Sequence, residues 1–162
     1  MPTDMQCTLI VEDLPDIRQW MVGTVKTAFP HSTIVAVGRC EEGLRQAASR
    51  LFNLALIDLG LPDGPGVQVV QALRTHQPQT AAVVVSIHEG DDHVFPALQA
   101  GAFGYLLKEQ PRAELVAALR RIKQGEPPLS PAIARRVLNY FASSAAQRSR
   151  WTGRALIPMR WR

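Results

Sequence analysis

Apolar and polar positions along the chain alternate between two periods, and the alternation repeats. Short β-branched runs read as strands: "CTLIV" at 7–11, "STIVAV" at 32–37, "LALID" at 54–58, "AAVVVS" at 81–86 and "FGYLL" at 103–107. Between and after them lie segments of helical period at 15–29, 41–51, 67–76, 92–100 and 112–125. In the first helix Ile17, Trp20, Met21, Val25 and Phe29 share one face, and Pro15 is tolerated in the first turn. In the last, Leu115, Ala118, Leu119 and Ile122 recur at i, i+3, i+4 and i+7, and Gly125 is a stop. Pro96 suits the helix at 92–100 only if it falls in the first turn.

Strands that alternate with helices predict an α/β fold, a doubly wound five-stranded parallel sheet covered on both faces. The third and fourth strands are apolar on both sides, as a doubly covered sheet requires. The order 2-1-3-4-5 would bring the C-terminal ends of the first and third strands side by side, on the edge where such sheets bind ligands.

Composition narrows the class. The chain of 162 residues is 46% hydrophobic and 20% charged, the balance of a soluble globular protein. No apolar run approaches the roughly 20 residues that span a bilayer. "MPTDMQC" lacks the basic start and apolar middle of an export signal. Cys7 and Cys40 fall at opposite edges of the expected sheet, too far apart to bridge, and fit a reducing compartment. A cytoplasmic location is the expectation. The net charge of +4 is unevenly placed: residues 1–124 carry 11 basic and 13 acidic side chains, and residues 125–162 carry 7 and 1. The excess positive charge is therefore confined to the C-terminal segment, and the high sequence pI does not argue for nucleic-acid binding by the body.

Chemistry collects at the C-terminal rim of the sheet. Glu12 and Asp13 follow the first strand, Asp58 ends the third, Ser86 ends the fourth and Lys108 follows the fifth. Neighbouring strands lie roughly 5 Å apart, so the acids would repel one another unless a cation joined them. Hard oxygen ligands of this kind suit Mg²⁺. Such a site directs a phosphoryl group to one carboxylate, with Lys108 neutralising one phosphoryl oxygen and Ser86 bonding another. Gly60, Gly64 and Gly66 are expected to let the backbone approach the group on Asp58, and Pro62 to stiffen the loop. The histidines His31, His76, His88 and His93 show no ligand spacing and read as surface residues.

Four stretches, "LIVED" (9–13), "LALIDLGLPDGPG" (54–66), "VVVSIHE" (83–89) and "AGAFGYLLKE" (100–109), occur in order. Together they resemble the receiver domain of two-component response regulators, a CheY-like doubly wound fold. The resemblance covers residues 7 to about 124. It implies Asp58 as phosphoacceptor for a sensor histidine kinase, and Glu12 and Asp13 as the acid pair of a Mg²⁺ site, with Glu12 bound directly or through water. It adds the Gly60 backbone carbonyl as a ligand, and Ser86 and Lys108 as readers of the phosphoryl group. It also makes Tyr105 a switch aromatic that moves inward when Ser86 is drawn to the phosphate. The output face would comprise the fourth helix, the fifth strand and the last body helix. Self-phosphorylation and autodephosphorylation are the only catalysis expected, and homodimerisation on phosphorylation is implied.

Residues 1–124 thus read as a receiver domain, 125–143 as a linker with a helix and 144–162 as a basic tail without fixed structure. In the linker, Ser130 reads as a helix cap before Pro131, and Ile133, Ala134, Val137, Leu138 and Phe141 form an apolar stripe that needs a partner. The linker is similar to that of NarL/FixJ regulators, in which a LuxR-type helix-turn-helix follows. No pair of amphipathic helices is legible in the tail, which reads as the truncated or out-of-frame remainder of such a domain. Its arginines would give only non-specific, salt-sensitive phosphate contacts, so specific DNA binding is not expected. Two other classes remain open. A transcription factor would act through the basic C-terminus. An aspartate-dependent phosphatase would need a second acid two residues after Asp58, where Gly60 stands.

Overall fold

The computed structural model describes residues 5–155, with side chains described through Ser143. The chain divides into two units, one ending at Ser130 and one starting at Pro131. In the first, β1 (Cys7–Val11), β2 (Thr33–Val37), β3 (Leu54–Ile57), β6 (Ala81–Ser86) and β7 (Gly104–Leu107) form one parallel sheet in the order β2-β1-β3-β6-β7. A small antiparallel ribbon, β4 (Gly60–Leu61) with β5 (Gly64–Pro65), lies in the loop after β3. Leaving that ribbon aside, the order is the 2-1-3-4-5 expected from the sequence.

The helices are α1 (Pro15–Ala28), α2 (Cys40–Ser49), α3 (Val67–His76), α4 (Asp91–Gln99) and α5 (Arg112–Arg120), the last continued by a 3₁₀ turn at Arg121–Gln124. Every residue of β3 and β6 is buried, because both strands are central and covered on both faces. The edge strand β2 is half-exposed. One core joins Met21 and Val25 of α1 to Ile10, Leu56, Val83, Val85 and Leu106 of the sheet and to Leu115, Leu119 and Ile122. On the outside of that layer, Arg112 donates to the Trp20 carbonyl at 2.9 Å and lies over the Trp20 ring, and Arg120 donates to the Thr27 carbonyl at 2.9 Å. These bonds tie α5 to α1.

Pro96 departs from the sequence expectation: it lies inside α4, beyond the first turn. The ring removes one N–H from a short helix whose Val94 and Ala97 are buried against the body, and the packing outweighs the lost bond.

The second unit is α6 (Pro131–Ala155). It continues past Ser143 into the segment assigned from sequence to the tail; residues 156–162 lie outside the described residues. Leu138 and Phe141 of its apolar stripe are exposed.

Candidate functional site

Parallel pairing sets the rim. β1 and β3 run in register with Val11 opposite Ile57, and the Asp58 N–H donates to the Val11 carbonyl at 2.9 Å. Asp58 therefore leaves its strand beside Glu12 and Asp13, which leave theirs. Carboxylate oxygens of Glu12, Asp13 and Asp58 lie within 4.8 Å of one another. Lys108, one residue beyond β7, reaches back across β6: its Nζ is 2.9 Å from Asp58 Oδ1 and 2.6 Å from Glu12 Oε1. Its backbone N–H donates to the Ser86 carbonyl at 2.9 Å, which aligns the two strand ends.

Glu12 is fully buried. Its Oε2 accepts the Leu14 N–H at 3.2 Å, and its Oε1 pairs with the Lys108 ammonium at 2.6 Å. Burial pushes the Glu12 carboxyl above its usual range, with Lys108 working against the shift. For Lys108, burial alone would lower the ammonium, but the bonds to Glu12 and Asp58 outweigh it and hold the group above its usual value. A buried acid beside two more hard oxygen donors, with carboxylate oxygens converging within 4.8 Å, is a donor set that fits a small divalent cation.

Ser86 ends β6 at this rim, and Tyr105 reaches the loop after β6 from within β7, where it stands opposite Val84. Ser86 is buried, and its Oγ accepts the His88 N–H at 3.0 Å. Tyr105 is fully buried, and its hydroxyl donates to the His88 carbonyl at 2.6 Å. Burial pushes its phenol above the usual range. The two backbone groups of His88 thus join the Ser86 and Tyr105 side chains, and the Tyr105 ring is already inside.

Of the three loop glycines, only Gly66 is demanded by space. A Cβ there would stand 1.9 Å from the Asp58 carbonyl oxygen, whereas one at Gly60 would meet nothing within 4 Å and one at Gly64 would make ordinary contact. The Gly66 N–H donates to the Leu59 carbonyl at 2.8 Å, closing the loop that carries Asp58.

Three features escape sequence reasoning. Arg18 Nη1 donates to the Glu12 carbonyl at 2.9 Å and to the Asp13 carbonyl at 3.3 Å, fixing the backbone of the acid pair. Asp63 accepts the Cys40 and Glu41 N–H groups at 2.7 and 2.9 Å, capping α2 from the Asp58 loop. Those amides, with Arg39 beside them, hold its carboxyl below the usual range. His88 and His93 stack with ring centroids 4.1 Å apart. Asp63 stood in the quoted turn, but nothing in its spacing pointed to the start of another helix. Both cysteines are free thiols.

Residues 8–120 match the family described as the response regulator receiver domain. The chain belongs to that family. It is 30% identical over 128 residues to a probable transcriptional regulatory protein NarL of Mycobacterium tuberculosis, covering 77% of this chain and 58% of the relative. It is 33% identical over 132 residues to the response regulator protein PilR of Pseudomonas aeruginosa, covering 78% of this chain and 28% of that one. Among solved structures, a two-component response regulator of the LuxR family from an Aurantimonas species superposes with a TM-score of 0.76 at 25% identity, covering 86% of this chain and 99% of the other. A CheY-like receiver domain from Methanospirillum hungatei shares the fold, with a TM-score of 0.69 at 22% identity over 75% of this chain and 96% of the other. The chain spans little more than half the length of the mycobacterial relative.

Proposed function

We propose that the protein is the phosphoryl-accepting switch of a two-component pathway, modified on Asp58 by a sensor histidine kinase. The observation that carries this reading is the placement of one carboxylate, Asp58, within 2.9 Å of the Lys108 ammonium and within 4.8 Å of two further acids. Asp58 Oδ attacks the phosphorus of a phosphohistidine or of a small acyl phosphate. A P–O bond forms to the carboxylate, the bond to the leaving group breaks, and the leaving group departs with the electron pair. Lys108 moves from Asp58 Oδ1 to an oxygen of the transferred group. The Ser86 hydroxyl, which uses a lone pair on the His88 N–H, retains its own hydrogen for another such oxygen.

Asp13, Asp58, Glu12 and the Gly60 carbonyl are the groups that would hold Mg²⁺, which when bound offsets charge on the transferring phosphoryl group. Water attack on the aspartyl phosphate releases inorganic phosphate and resets the site, so the reaction is stoichiometric self-labelling rather than turnover of a substrate. Within this reading residues 1–124 are the receiver, 125–143 the linker and 144–162 a basic tail, acting in the cytoplasm. Among the described residues no helix is long and apolar enough to cross a membrane. Homodimerisation on phosphorylation is part of the proposal; specific DNA binding is not.

The test is intact mass after incubation with acetyl phosphate, with and without Mg²⁺, on wild type and Asp58→Ala. One Mg²⁺-dependent phosphoryl adduct, absent from the variant, is expected. An adduct that persists in Asp58→Ala would overturn the assignment.

A further inference from the structure

The open side of β7 is occupied by the chain's own linker. The Tyr105 N–H donates to the Pro128 carbonyl at 2.9 Å, and the Ser130 N–H donates to the Tyr105 carbonyl at 3.1 Å, forming a parallel bridge between Tyr105 and Leu129. The Leu107 N–H, next along the same edge, donates to Ser130 Oγ at 2.9 Å. The Ser130 hydroxyl in turn donates to Gln110 Oε1. Ser130 is 1% exposed. The hydroxyl that the sequence assigns to capping α6 is therefore engaged at the end of β7. The approach is close enough to dictate Gly104: a Cβ there would lie 2.4 Å from the Pro128 carbonyl oxygen and 2.5 Å from its ring.

We infer that Ser130 is a positioning residue of the phosphoryl-reading site, and that residues 128–130 are a strap holding the switch strand in register. The inference rests on the function proposed above. Its geometry is direct. The strap bonds three backbone groups of β7, on Tyr105 and Leu107. Tyr105 carries the hydroxyl held by His88, and Leu107 immediately precedes Lys108. An edge N–H with no partner leaves the strand end free to slip, and here the Ser130 hydroxyl supplies the acceptor that a sixth strand would have supplied. Pro131, the first residue of α6, follows Ser130 directly. A partner seeking β7 for strand pairing meets the strap first.

The experiment follows the rate of acetyl-phosphate labelling, its Mg²⁺ dependence and backbone amide exchange in the full chain, for wild type, Ser130→Ala and Ser130→Thr. Ser130→Ala is expected to label about tenfold more slowly, the scale of losing a supporting hydrogen bond behind a functional group. The Mg²⁺ half-saturation should stay unchanged, because the acids lie on other strands; general destabilisation would shift both. Ser130→Thr keeps the hydroxyl and restores the rate. In unmodified wild type, the Tyr105 and Ser130 amides should be protected, and labelling of Asp58 should change their exchange. That arm needs no variant, so it stands even where Ser130→Ala fails to fold. Unchanged exchange at both amides on labelling, or wild-type labelling rates in Ser130→Ala, would overturn the strap. Wild type that takes no label at all would instead remove the phosphoacceptor reading on which the strap rests.

Discussion

The two ends of the same sheet are built on opposite principles. At the N-terminal end, neutral polar groups close on one another. The buried Gln77 amide donates to the Ala47 and Arg50 carbonyls and accepts from the Phe52 N–H at 2.8 Å and the Thr80 hydroxyl at 2.9 Å. Asn53 accepts the Cys7 N–H at 2.9 Å, and Thr8 and Ser32 share a hydroxyl bond at 2.8 Å. At the C-terminal end three carboxylates converge, and two of them, Asp58 and the fully buried Glu12, share the single Lys108 ammonium at 2.9 and 2.6 Å. Satisfied networks hold a fold together, while like charges gathered around one cation are held in place by it. The first end is organised for stability; the second is organised to receive something.

Replacing either end should separate the two roles. The largest effect is expected from Asp58→Asn, which should abolish the acetyl-phosphate adduct while leaving the free energy of unfolding in urea within about 1 kcal/mol of wild type or above it. Mass spectrometry and denaturation on the same sample check this. Lys108→Gln comes next. It leaves Glu12 and Asp58 without their counter-charge, and the expected loss is about 3 kcal/mol of stability at neutral pH together with slower labelling. If that variant unfolds like wild type, the ion pair is not what restrains the acids.

Gln77→Ala acts at the other end. It orphans the Phe52 N–H and two carbonyls, at a cost of about 2 kcal/mol or more, with the labelling rate per folded molecule unchanged. A changed rate would show that the two ends are coupled.

Asp63 gives the smallest and most pH-dependent effect. Its folded pKa is depressed below 3.8, so its contribution to stability is present above that value and is lost as the pH falls through the folded pKa. Asp63→Asn should therefore narrow its deficit relative to wild type below pH 3.8, measured by denaturant midpoints across the acid range. A deficit that does not depend on pH would assign the cap to geometry alone.

Strand identities and the positions of Glu12, Asp13, Asp58, Ser86 and Lys108 at strand ends were legible because each depends on local pattern, whereas the strand order followed only from the fold class. A buried parallel strand must be apolar on both faces, and a functional side chain must stand where the strand ends. Pro96 was misjudged because propensity weighs the lost N–H bond but not the burial of Val94 and Ala97 beside it. Gly60 and Gly64 looked as necessary as Gly66 because a sequence shows glycine but not the atom that a Cβ would strike.

The sequence by itself determined the fold class and the acid-rich edge, since both follow from periodicity and from residues placed at the ends of periodic runs. Only the tertiary structure decided what joins elements far apart in the chain. Asp63 caps α2, Arg18 holds the carbonyls of the acid pair, His88 links Ser86 to Tyr105, and Ser130 completes the edge of β7. These are single hydrogen bonds between non-periodic positions, and no local pattern encodes them. They depend on where the packed helices and strands bring the backbone.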